Sequence, residues 1–265
     1  MKALRLRKIL EDVLKGKISL DEAERKIRLH AVDKIEDILR IDLGREQRRD
    51  VPEIIFAEYK SNDMLRKIIE RTVESSGRVI LSRVREDQVE VIKEFSGKYE
   101  VKICKHGKVA VVRRKDIKVE KTGGRIGIIA AGTADIELVE EIKMIAEELG
   151  CETTVLCDVG IASLKRTLDA VKEVVEKDVD VIVAVAGMEA ALPSIVASLV
   201  NVPVIGLPSS KGYGMGGKGE AALLSILQAC VPGVLTVNVD NSVGAAIGAV
   251  LIANRAAKFR RACGD

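Results

Sequence analysis

The stretch Ile126-Gly127-Ile128-Ile129-Ala130-Ala131-Gly132-Thr133-Ala134-Asp135 decides the fold. A short β-branched run ends in a turn of small residues, a hydroxyl and a carboxylate, and an apolar-periodic helix follows over Glu137 to Leu149. An unbroken apolar run bounded by turn residues reads as a strand buried on both faces. The same grammar returns four times. Strands are expected at Thr153 to Leu156, Val179 to Val185, Val202 to Ile205 and Val234 to Val239. Helices long enough to cross between them are expected at Leu164 to Glu176, Ser194 to Val200, Glu220 to Gln228 and Ala245 to Lys258. Five such units predict an α/β protein with an open, doubly wound parallel sheet. In such sheets a ligand sits beyond the carboxyl ends of the strands, near the switch point.

Working upstream, Lys121-Thr122-Gly123-Gly124 reads as a linker, which divides the chain into residues 1–122 and 123–265. The first part is expected to be a smaller α/β domain. Its helical lead-in places Leu4, Ile9, Leu10 and Val13-Leu14 at helical spacing, and Ser19-Leu20-Asp21-Glu22 is a capping-box start. Ile38 to Ile41 is expected to close a third helix, stopped by Gly44. Pro52 then leads into a strand at Ile54-Ile55-Phe56-Ala57, followed by helix at Asn62 to Glu74, strand at Arg78 to Arg83, helix at Glu86 to Phe95, and strands at Glu100 to Cys104 and Lys108 to Val112.

Composition narrows the class. In 265 residues, 47% are hydrophobic and 31% charged, which excludes a disordered tail, a collagen-like repeat and a disulfide miniprotein. With 2% aromatic residues and no Trp there is no stacking platform for single-stranded nucleic acid, and no recognition motif for nucleic acid appears. Charge is uneven: the net is +8 through residue 124 and −5 beyond it, which makes the first domain a candidate for holding an anionic ligand. The small-residue run Val243 to Ala253 is shorter than the roughly 20 residues of a membrane span, and Met1 to Arg7 is too interrupted by charge for a secretory signal. A cytoplasmic protein without membrane partners is expected. The five cysteines contain no C-x-x-C pair and read as reduced thiols; no metal site is expected.

Four loops at strand ends could carry chemistry. Ala131 to Asp135 offers small residues and free amides at a helix start, suited to a phosphate or, equally, to plain capping. Cys157-Asp158-Val159-Gly160-Ile161 offers a carboxylate and a glycine. In Ala186-Gly187-Met188-Glu189-Ala190-Ala191-Leu192-Pro193-Ser194, a lone carboxylate stands among apolar residues, and desolvation there would make Glu189 a proton carrier. Pro208 to Gly219 holds five glycines, two serines and two lysines and reads as a mobile anion-binding lid, although it is no P-loop. Cys230 lies at the end of a helix, the wrong pole for lowering a thiol pKa, and by periodicity reads first as a small buried hydrophobe.

Taken together, residues 124 to 258 resemble the aminoimidazole ribonucleotide carboxylase/mutase fold. The matching pieces are Ala131-Gly132-Thr133-Ala134-Asp135, Ala186 to Pro193, Leu223-Leu224-Ser225-Ile226-Leu227-Gln228, and the segment Gly244 to Ala253. The expected fold is accordingly flavodoxin-like. The purine enzymes carry a histidine after the second strand, where this chain has Val159-Gly160; its only histidines are His30 and His106. The variant motifs Asp158-Val159-Gly160, Ala186 to Pro193, Ala229-Cys230 and Asn238-Val239-Asp240-Asn241 resemble instead the LarB family. So do Asp42 to Arg48, Pro52 to Phe56 and Lys60 upstream.

That resemblance implies synthesis of pyridinium-3,5-biscarboxylic acid mononucleotide, on the route to the nickel-pincer nucleotide. The pyridinium ring of nicotinic acid adenine dinucleotide is carboxylated by CO2 or bicarbonate and the phosphoanhydride is cleaved, releasing AMP. No tightly bound cofactor is implied beyond Mg2+ arriving with the dinucleotide, and the implied assembly is a homo-oligomer with an octamer-like core, with Ala245 to Ala253 as a candidate interface. On this reading Cys230 is the transient nucleophile and Glu189 the base. Arg45, Arg48, Lys60 and Arg83 are candidates for the pyrophosphate, and Thr133 and Ser209 for ribose or phosphate. Asp42, Gly132, Asp135, Asp158, Gly160, Gly187, Met188, Ser210, Lys211, Asp240 and Asn241 complete the implied substrate site. A purine-type mutase and a non-catalytic nucleotide sensor are the alternatives.

Overall fold

The computed structural model describes residues 9–28, 33–35, 39–41, 45 and 49–263. The chain divides into two compact units, Met1–Lys102 with Ala110–Ile117, and Ile103–Val109 with Lys118–Asp265.

In the first unit, helix α1 (Leu20–Arg28) starts where the capping signal places it, with Ser19 Oγ accepting from the Glu22 N–H at 3.1 Å. Strands β1 (Asp33–Ile35) and β2 (Leu39–Ile41) pair antiparallel, Asp33 opposite Ile41. This corrects the helix expected to close at Ile41. Leu39-Arg40-Ile41 alternates with a period of two, and a ladder to β1 satisfies backbone groups that a short helix would leave unpaired.

Strands β3 (Ile54–Phe56), β4 (Arg78–Ser82), β5 (Glu100–Ile103) and β6 (Ala110–Arg113) form a sheet in the order β3-β4-β6-β5. β3 and β4 run parallel, and β6 is antiparallel to β4. Helices α2 (Asn62–Ser76) and α3 (Glu86–Lys93) follow the two parallel strands. Leu65, Ile68, Ile69 and Val73 of α2 are buried, as are Val79, Ile80 and Leu81 of β4.

The second unit carries β7 (Arg125–Ala130), β8 (Glu152–Leu156), β9 (Val181–Ala186), β10 (Val204–Pro208) and β11 (Val234–Thr236), all parallel, in the order β11-β10-β9-β7-β8. The helices between and after them are α4 (Ile136–Glu148), α5 (Leu164–Glu176), α6 (Leu192–Ala197), α7 (Glu220–Leu227) and α8 (Ser242–Cys263). This is the doubly wound, flavodoxin-like order.

Both faces are covered. Val171 and Val174 of α5, Leu192 and Val196 of α6 and Ala222 and Ile226 of α7 pack with Ile129, Ile182 and Ala184 on one side. α8 lies on the strands beside α4. The alanines at 245, 246, 249 and 253 are buried within the chain itself, side chains small enough to let the helix approach its own sheet closely, while Leu251 on the same helix is exposed. The chain runs from β7 outward to β8 and returns past β7 to β9. The switch point therefore falls between the carboxyl ends of β7 and β9.

Candidate functional site

A cavity of about 530 Å³ opens at that switch point, in the size range of small-molecule sites. Its walls are the loops following β7, β8, β9 and β10. After β7, Ala131 N–H donates to Val185 C=O, and a 3₁₀ turn over Thr133–Asp135 leads into α4. Asp135 turns back on this loop, its Oδ2 accepting from the Gly132 N–H at 3.3 Å. After β8, Gly160 packs against the first loop so closely that a Cβ would sit 2.7 Å from Ala131 O.

After β9 the chain makes a tight turn, Ala190 N–H to Gly187 C=O at 2.8 Å. Met188 and Ala190 both take left-handed backbone conformations, φ 51° and 43°. Such strain costs on the order of 1–3 kcal/mol per residue and persists where the surroundings enforce it. It brackets Glu189 and fixes the direction in which that side chain leaves the turn. The loop after β10 is tied down at several points. Ser209 N–H donates to Ala186 C=O, Lys211 N–H to Ser209 Oγ at 3.2 Å, and Ser210 N–H to Asp240 Oδ1 at 2.9 Å. Lys211 Nζ reaches Glu137 Oε2 at 3.2 Å, and Lys108 pairs with the same carboxylate at 3.6 Å.

Of the residues expected from sequence, Gly132, Asp135, Gly160, Gly187, Met188, Glu189 and Lys211 line the cavity together. Ser209, Ser210 and Asp240 stand behind its wall as the bonded support of the Lys211 loop. Thr133 is exposed on its turn. Asp158, with φ 60°, pairs with Arg166 at 2.7 Å on the surface. Asn241 Oδ1 accepts from the Gly244 N–H at 2.8 Å and caps α8. In the first unit, Lys60 and Arg83 lie just past the carboxyl ends of the adjacent strands β3 and β4, and Arg45 is half-buried elsewhere in that unit. Asp42 and Arg48 lie outside the described residues.

Two expected burials are not met. Glu189 is exposed, so the desolvation expected of it is absent; the buried carboxylate of the cavity is Asp135, at 4% exposure. Cys230 is also exposed and does not line the cavity. A helix that follows a strand runs back along it, so the loop after α7 returns to the amino edge of the sheet. There Gly233 C=O accepts from the Val204 N–H at the start of β10. Five residues of β10 separate this edge from the cavity edge, roughly 16 Å at about 3.3 Å per residue. The thiol nearer the cavity is Cys157, half-buried and pushed up by burial and by the carboxylates of Asp135, Asp158 and Glu140. Glu137, which fixes Lys211, carried no signal in the sequence, since its partner lies 74 positions away. Among the described residues no cluster of three His, Cys, Asp or Glu could hold a metal ion, and no helix is long and apolar enough to cross a membrane.

This arrangement sits in recognisable company. Residues 125–262 match the AIR carboxylase family model and residues 32–114 the model of the LarB/PurE-like N-terminal domain. An uncharacterized protein of Methanocaldococcus jannaschii is 40% identical over 251 residues, covering 94% of this chain and 96% of that one. The chain belongs to the LarB family. About half of this LarB-family chain is similar to N5-carboxyaminoimidazole ribonucleotide mutases. The Pyrococcus horikoshii protein is 36% identical over 130 residues, 48% of this chain and 71% of that one. The Methanocaldococcus jannaschii mutase is 38% identical over 130 residues, 48% and 77%. The LarB-family chain is thus a carboxylase/mutase-type enzyme by its domains.

Proposed function

We propose that the chain carboxylates the pyridinium ring of nicotinic acid adenine dinucleotide with CO2 or bicarbonate and cleaves the phosphoanhydride. The products are AMP and pyridinium-3,5-biscarboxylic acid mononucleotide. The observation that carries this reading is the presence in one chain of a LarB-type first domain and a carboxylase-type cavity whose wall has a carboxylate, Glu189, and, among the described residues, no histidine. His106 lies outside that wall and binds Glu140 at 2.8 Å.

A pyridinium ring is electron-poor and cannot attack CO2 until a nucleophile adds to it. Addition of a thiolate beside the target carbon forms a C–S bond and leaves a dihydropyridine whose enamine carbon is nucleophilic. That carbon bonds to CO2, Glu189 takes the ring proton, and the C–S bond breaks to return the electron pair to sulfur and restore aromaticity. Cys230 is the thiol in this scheme. Because one chain holds it at the far edge of the sheet, it reaches a cavity by coming from another copy in a homo-oligomer. Exposed apolar residues around it support that assembly: Leu224 and Leu227 of α7, both 60% exposed, and Leu235 of the edge strand β11.

The test is incubation of the chain with nicotinic acid adenine dinucleotide and labelled bicarbonate. Labelled mononucleotide and AMP are the expected products. No label with that substrate, but conversion of N5-carboxyaminoimidazole ribonucleotide, would establish the mutase reading favoured by the similarity of the second unit. Binding without turnover of either would leave a nucleotide sensor.

A further inference from the structure

The carboxylate that burial acts on in the cavity is Asp135, and the reaction scheme above leaves it without a task. The residue is buried, yet it belongs to the cavity wall. Oδ2 accepts from Gly132 N–H, Oδ1 is buried with no partner at hydrogen-bond distance, and the Ser209 hydroxyl acts on the carboxyl as a donor. A buried, unmatched carboxylate oxygen costs free energy as an anion and is relieved when it carries a proton and finds an acceptor.

We propose that Asp135 is the proton-carrying carboxyl of the cavity, and that it meets an anionic oxygen of the occupant, a carboxylate or bicarbonate, as a hydrogen-bond donor. The groups around it agree. Asp240, after β11, opposes its ionisation, and Cys157, after β8, would gain nothing from a second negative charge nearby. Lys211 and the Ser209 hydroxyl, both after β10, favour ionisation in part, but burial outweighs them and raises its proton affinity. An ionised Asp135 would repel an incoming carboxylate, whereas a protonated one pairs with it across from the Lys211 ammonium.

This deepens the proposed function, and its test separates the two. Side-chain carbon-13 NMR of the ligand-free full chain, with Asp135→Asn for assignment, should show an Asp135 carboxyl titrating above the ordinary aspartate range. Calorimetry at a pH above that midpoint, in buffers of different ionisation enthalpy, should show proton uptake on binding of nicotinic acid adenine dinucleotide, and the residual binding of Asp135→Asn, weaker or not, should show no such uptake. An ordinary titration midpoint, or uptake unchanged by Asp135→Asn, overturns the inference. If the wild type gives no binding heat, the proposed function fails and the NMR titration alone decides for Asp135.

Discussion

Glu189 and Cys230 stand at opposite edges of one parallel sheet, Glu189 in the turn after β9 and Cys230 in the loop that returns from α7 to β11. A chemistry that needs both therefore needs two chains. The separation follows from the alternation of strand and helix and not from any one side chain.

Thiol reactivity follows from burial. Cys104 is pushed up to about 12 and Cys151 to about 11 by burial, so neither forms thiolate near neutral pH. Native alkylation followed by peptide mass analysis should leave both unmodified until the chain unfolds. Cys263 should react, and modification of Cys230 should slow when the dinucleotide is present.

Gly160→Ala places a methyl 2.7 Å from the backbone carbonyl oxygen of Ala131, so the backbone itself must shift. Destabilisation of about 1–3 kcal/mol is expected from overpacking, together with a weakened dinucleotide complex as the first and second loops part. Chemical denaturation and a binding isotherm check the two effects.

Glu137→Gln removes the charge that fixes Lys211. The pair is partly exposed, so the change in stability should stay below about 1 kcal/mol. KM for the dinucleotide should rise several-fold with a smaller change in kcat. An unchanged KM would remove Lys211 from the binding site.

For Asp135, burial raises the proton affinity of the folded state above that of the unfolded chain. A raised carboxyl contributes its full stabilisation in acid, below the unfolded pKa, and loses it as pH rises through the folded one. Asp135→Asn should match or fall below the wild type in acid and gain on it in Tm toward neutral pH.

Much of this was legible in the residues. The β9 run Val181 to Ala186 is apolar throughout because both of its faces are covered, and the loops of small residues after β7 and β9 mark the switch point. Local periodicity carries such information. It does not say which side chain turns inward. The left-handed backbone at Met188 and Ala190 sends Glu189 out, while the turn at Gly132 folds Asp135 in. Nor does it show pairing partners, as at β2, where three alternating residues join a strand instead of ending a helix. The edge on which Cys230 lies was available from topology alone, since any residue after a crossover helix is back at the amino side.

The most direct measurement mixes two inactive variants, Cys230→Ala and Glu189→Gln, after dissociation and reassembly, and assays labelled bicarbonate incorporation. A site built from two copies predicts recovery of roughly a quarter of wild-type activity for random mixing in a symmetric assembly. A mixture as inactive as either variant alone would contradict the shared site.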